Sequence, residues 1–123
     1  LTNQYKGLQN LWDRYRDSGL IVIGVPSNDF FQELSDDAQI RSFCKLQYNI
    51  DFPMTIKTHV VSHNAHPFYI WAEQQLGPES VPKWNFHKLL INSQGKLVKW
   101  FSSQTLPEAK ELTDEIDKLL ILH

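Results

Sequence analysis

A single α/β domain, with helices packed on both sides of a mixed sheet, is the fold class that the sequence predicts. Three observations carry this expectation. The β-branched run Leu20-Ile21-Val22-Ile23-Gly24-Val25 directly follows an amphipathic segment, the pattern of a central strand buried on both faces. Two later apolar runs flank Asn92-Ser93-Gln94-Gly95, a short polar turn that predicts an antiparallel hairpin. Helical periodicity fills the segments before, between and after these runs. At 123 residues and 41% hydrophobic content the chain is long enough for one genuine core. No repeat, low-complexity tract or internal boundary divides residues 1–123.

The first helix is expected over residues 3–18. Tyr5, Leu8, Trp12 and Tyr15 recur at helical spacing, Leu11 widens the stripe, and Gly19 stands where a left-handed residue ends a helix. The strand over 20–25 then ends at Pro26, which has no N–H for a ladder. Residues 26–34 form the loop at its carboxyl end, where ligand-binding and catalytic groups gather in open α/β sheets. Phe30 and Phe31 are read either as anchors of that loop or as part of its function.

Ser35 is the expected N-cap of the second helix, with Asp36 and Asp37 complementing its dipole. Its apolar stripe holds Ile40, Phe43, Cys44 and Tyr48, so by position alone Cys44 reads as a small buried hydrophobe. A short strand interrupted by Pro53 fits residues 50–57. His66 starts a third helix with Pro67 in its first turn, and Phe68, Ile70, Trp71 and Leu76 supply packing. After the turn-rich stretch 77–82 come the hairpin strands, Phe86 to Ile91 and Leu97 to Phe101. Thr105, Pro107 and Glu108 mark the start of a final helix with Ala109, Leu112, Ile116, Leu119 and Leu120 on its apolar face.

Several classes are disfavoured. A net charge of −2 with no Lys/Arg cluster argues against nucleic-acid binding. The longest apolar run is far too short to span a bilayer. His59, His63 and His66 lie in a loop without a nearby carboxylate or thiolate to complete a ligand set, so no metal is expected. Cys44 is the single cysteine, which fits a reducing compartment and leaves no Cys-x-x-Cys for a dithiol oxidoreductase. The chain opens on Leu1, without Met or signal-peptide features, as a fragment or processed form would.

The chemically expressive stretch is Lys83-Trp84-Asn85-Phe86. Trp offers an N–H donor and Asn offers two donors and an acceptor. Side by side before a strand, they are able to aim donors at one anionic atom. Read without other evidence, such a pair is more often aromatic packing beside an ordinary strand.

The element order (helix, buried strand, helix, short strand, helix, hairpin, helix) is the thioredoxin-like arrangement. Three segments then resemble the glutathione peroxidase family. Gly24-Val25-Pro26-Ser27-Asn28-Asp29-Phe30-Phe31-Gln32-Glu33 is similar to its Pro-Cys-Asn-Gln-Phe-Gly-x-Gln-Glu loop, one residue shorter. Asn64-Ala65-His66-Pro67-Phe68-Tyr69 resembles its Asn-x-His-Pro-Leu-Tyr helix start, and Lys83 to Leu90 resembles its Lys-Trp-Asn-Phe-x-Lys-Phe-Leu. The resemblance implies a thiol peroxidase: a cysteine or selenocysteine attacks the O–O bond of a hydroperoxide and becomes a sulfenic or selenenic acid. Gln32, Trp84 and Asn85 match the residues that surround that nucleophile, which the family places upstream of Leu1 together with its first strands. As it stands, the chain is expected to be inactive.

Cys44 matches the resolving cysteine of the thioredoxin-dependent members, whose sulfenic acid becomes a disulfide that thioredoxin reduces. The stretch between Trp71 and Trp84 lacks the longer insertion of the family's tetrameric, glutathione-using members, so the resemblance implies a monomer or dimer and a thioredoxin-like reductant rather than glutathione. No cofactor beyond the thiol reductant and a cytoplasmic location are expected. Ser27, Asp29 and Phe31 depart from the family loop and bear on where Gln32 sits. The competing reading is a non-catalytic thioredoxin-like binding module that keeps Trp84 and Asn85 as packing.

Overall fold

Helix α1 (Tyr5–Tyr15) is the element around which two apolar clusters assemble. The computed structural model describes residues 4–30 and 36–122, without the side chains of Cys44, Leu46 and Leu122. Leu11 and Tyr15 face one cluster, and Trp12 faces the other. A 3-10 turn (Arg16–Ser18) follows, and Gly19 at φ +114° ends it with its N–H on the Arg16 carbonyl, as its position in the sequence predicts. Buried Gln9 ties the helix to the following layer. Its Nε2 donates to Asp51 Oδ1 at 2.7 Å, and its Oε1 accepts from the Asp51 N–H at 3.0 Å.

Residues 20–25 run extended, but the expected strand buried on both faces is not found. Leu20 and Val22 pack inward, whereas Ile21 and Ile23 are 67% and 58% exposed. Among the described residues, its strand-like pairing is a parallel bridge between Gly24 and Met54. There the Gly24 N–H donates to the Pro53 carbonyl, and the Thr55 N–H donates to the Gly24 carbonyl, both at 2.9 Å. A strand with described neighbours on one side alone buries one set of alternating side chains. Gly24 suits this close approach, because a Cβ there would lie 3.1 Å from Phe52 Cε1 and 3.3 Å from Met54 Cγ.

Helix α2 (Asp37–Tyr48) is capped by Asp36, which accepts from the Gln39 N–H at 2.8 Å; the expected cap, Ser35, lies outside the described residues. Asp37 is engaged elsewhere, accepting the Lys57 N–H at 2.7 Å. Ile40 is buried beside Trp12, Ile50 and Phe52, whereas Phe43 is exposed. The expected strand over 50–57 reduces to the single bridge at Met54. Helix α3 (Pro67–Leu76) starts where the His-Pro pair predicts, with His66 Nδ1 accepting the Phe68 N–H. It buries Ala72, while Ile70, expected to pack, is exposed because it lies on the opposite face.

Strand β1 (Lys88–Ile91) pairs antiparallel with β2 (Leu97–Phe101), with a register shift between Leu90 and Ile91. Asn92 Oδ1 organises the turn by accepting from the N–H groups of Gln94 and Lys96. Strand β1 starts two residues later than expected, since Phe86 is left-handed at φ +65°. Helix α4 (Lys110–Leu122) closes the first cluster with Leu112 and Ile116 against Leu11, Tyr15, Leu90 and Phe101. The expected start near Thr105 and Glu108 is too early. Pro107 is buried against Gly7 and disfavours helix at Leu106, and Thr105 Oγ1 bonds Glu111 instead.

Candidate active site

Two loops meet beside the start of α1. The first follows the extended segment. Its turn is closed by the Asp29 N–H donating to Ser27 Oγ, and its carboxylate is heavily engaged. Asp29 Oδ2 accepts from the N–H groups of Val60 (2.8 Å) and Val61 (3.2 Å), and Oδ1 lies 3.1 Å from His59 Nδ1. Burial pushes this carboxyl's pKa up, but the bonds from Val60, His59 and Val61 together outweigh it and leave it below the ordinary value. Asp29 thus ties this loop to residues 59–61.

The second is the turn Trp84–Asn85–Phe86. Asn85 Nδ2 donates to the Phe30 carbonyl at 3.1 Å, and the Phe30 ring lies 6.1 Å from that of Trp84. Phe86 meets Tyr5 of α1 edge to face at 5.1 Å. Lys88 stands behind this turn. Its Nζ donates to the Phe86 carbonyl at 2.6 Å and to Gln4 Oε1 at 2.7 Å, and Gln4 Nε2 donates to the Ser103 carbonyl at 2.6 Å. Burial lowers the Lys88 pKa from its ordinary 10.5 to about 8.

Next to it, His87 Nε2 donates to the Ser80 carbonyl at 2.8 Å, and the ring stacks on Trp100. Burial lowers the His87 pKa below 6.5, and the charges of Lys88 and Lys83 add to this against the bond to Ser80. A base whose folded pKa is lowered binds its proton more readily when unfolded. Its stabilisation is therefore complete above the unfolded pKa and is lost as pH falls through the folded one. The urea midpoint is expected to drop as pH falls from about 6.5 towards 5. His87→Gln, which keeps a donor for Ser80, should flatten that part of the profile; an unchanged profile would exclude His87 as its source.

The structure thus brings Trp84 and Asn85 onto the loop that leads to Gln32. Gln32 itself lies outside the described residues. Cys44 lies in α2, four residues before its last residue, Tyr48, and its side chain is not among those described. Sequence reasoning missed Gln4, Asp29 as an anchor, and Lys88. His59 pairs with Asp29 and His66 caps α3, so these histidines have separate partners. Among the described residues no three His, Cys, Asp or Glu side chains are grouped to hold a metal, and no helix is long and apolar enough to cross a membrane.

The sequence profile described as glutathione peroxidase matches residues 1–73. The chain belongs to the glutathione peroxidase family. It is 41% identical to the "glutathione peroxidase homolog BsaA" of Bacillus subtilis, over 97% of this chain and 76% of that protein. It is 42% identical to "glutathione peroxidase-like peroxiredoxin 2" of Saccharomyces cerevisiae, over 97% of this chain and 75% of that protein. The "hydroperoxy fatty acid reductase gpx1" of Synechocystis is 38% identical, with 97% and 75% covered. The crystal structure of Trgpx in its apo form superposes with a TM-score of 0.74 at 29% identity, over 98% of this chain and 72% of that one. The fold is accordingly the thioredoxin-like α/β fold of glutathione peroxidases, with the antiparallel hairpin and closing helix α4 expected from the sequence.

Proposed function

We propose that this protein reduces hydroperoxides through a thiolate or selenolate carried N-terminal to Leu1, with Trp84, Asn85 and Gln32 donating hydrogen bonds around it. The supporting observation is the bond from Asn85 Nδ2 to the Phe30 carbonyl, which joins the Trp84–Asn85 turn to the loop leading to Gln32. Tyr5, packed on Phe86, sets the start of α1 beside the same turn. The names of the relatives, peroxidases and peroxiredoxins, agree with this chemistry.

In the reaction, the thiolate attacks the distal oxygen of the hydroperoxide. An S–O bond forms, the O–O bond breaks, and the departing alkoxide takes a proton to leave as alcohol or water. Donors converging on the sulfur favour the thiolate over the thiol and stabilise charge that develops as the O–O bond lengthens. The Cys44 thiol then attacks the sulfenic sulfur, releasing water and forming a disulfide. Exchange with a thioredoxin dithiol restores both thiols, so the reductant is a co-substrate and no cofactor takes part. The protein acts as a monomer or dimer.

The test is peroxide consumption by the full-length protein with thioredoxin or glutathione as electron donor. Turnover with thioredoxin well above that with glutathione is expected. Absence of peroxide consumption with either donor would leave a binding module as the better reading.

A further inference from the structure

We propose that Lys88 is a positioning residue for the donor turn, clamping the Phe86 carbonyl to Gln4 and so holding Trp84 and Asn85 against the start of α1. The inference rests on the reading of Trp84 and Asn85 as donors to the nucleophile, and concerns a residue that the proposed chemistry does not otherwise use.

Phe86 adopts φ +65°, a conformation that a bulky residue with a Cβ rarely takes. Such geometry persists only where surrounding contacts over-determine it. Two are present. The Tyr5 ring meets Phe86 edge-on at 5.1 Å, and Lys88 Nζ donates to the Phe86 carbonyl at 2.6 Å. Bonds from an ammonium are charge-assisted and stronger than those between neutral groups.

The second half of the clamp is Gln4, 3% exposed and fully used at both ends of its amide. It accepts from Lys88 at 2.7 Å and donates to the Ser103 carbonyl at 2.6 Å. A half-buried ammonium is costly unless its donors are satisfied. Placed here, it joins three separate parts of the chain: the residue before α1, the turn before β1, and the turn after β2. The start of α1 and the donor turn therefore move together, fixing the place of Trp84 and Asn85 relative to Gln4.

The experiment is nuclear magnetic resonance on the chain with Lys88→Met, which keeps length and apolar stem but removes every donor. The order parameters of Trp84 Nε1–H and Asn85 Nδ2–H are expected to fall from the rigid range near about 0.85 to below about 0.6. Those of the Trp12 and Trp71 indoles serve as internal references and should stay unchanged. Gln4→Met removes the other end of the clamp, should give the same pattern, and provides the test if Lys88→Met does not fold. Rigid Trp84 and Asn85 groups in the folded variant would overturn the proposal, as would a uniform loosening of all these indoles. These readouts do not depend on turnover. If Trp84 and Asn85 prove dispensable for peroxide reduction, the donor reading falls on kinetic grounds, separately from the clamp.

Discussion

Asn85→Ala is expected to lower kcat/KM for peroxide in the full-length protein by about 10²–10³, the usual loss when one preorganised donor to a developing anion is removed. The same substitution removes the bond to the Phe30 carbonyl. In this partly buried setting that loss should lower stability by only about 1 kcal/mol, so most molecules remain folded. The two effects are separable. Stopped-flow peroxide reduction gives the rate, and urea denaturation gives the folded fraction. Asn85→Asp sharpens the comparison, since a carboxylate keeps the size of the amide while offering only acceptors to the thiolate and to the Phe30 carbonyl. It should be at least as damaging as alanine. A rate loss that merely tracks the unfolded fraction would reduce Asn85 to a packing residue and would favour the non-catalytic module.

How much of this was legible in the sequence depends on whether the deciding contacts are local. Gly19, the His66-Pro67 helix start and the Asn92–Gly95 turn were readable because each is governed by neighbours a few residues away. The run from Leu20 to Val25 declared its extended conformation but not its burial. Whether Ile21 and Ile23 are covered depends on what lies beside the segment, and β-branching says nothing about that. The same limit applies to the cap of α2. Ser35, Asp36 and Asp37 are all suitable residue types, and Asp37 is taken up by the backbone of Lys57, twenty positions away.

The site divides in the same way. Trp84 and Asn85 were visible as adjacent donors. That Asn85 would hold Phe30 across 55 residues, or that Lys88 would reach Gln4 across 84, was not. Lys88 read simply as a polar residue in an apolar strand. Only the tertiary structure shows that its ammonium is turned back onto the Phe86 carbonyl.

Cys44→Ser is expected to reduce thioredoxin-coupled turnover to background while leaving the first equivalent of peroxide consumed at the wild-type rate. The distinction follows from the order of steps. Peroxide meets the nucleophile first, and a second thiol is needed only to resolve the sulfenic acid; Cys44 is the single cysteine in this chain. On the proposed mechanism, Cys44 is expected to leave its helical setting so that the two sulfurs come within the roughly 2 Å of a disulfide bond. Helix α2 is suited to opening. Its described core contribution is mainly Ile40, Phe43 is exposed, and its first turn hangs on two carboxylate contacts, Asp36 with Gln39 and Asp37 with Lys57. A thiol-free staple between Arg41 and Lys45, both exposed and one turn apart, should therefore block disulfide formation without slowing the first turnover. Thioredoxin-coupled turnover that survives Cys44→Ser would make Cys44 a packing residue. Disulfide formation that survives the staple would show that the thiol is reached without opening the helix.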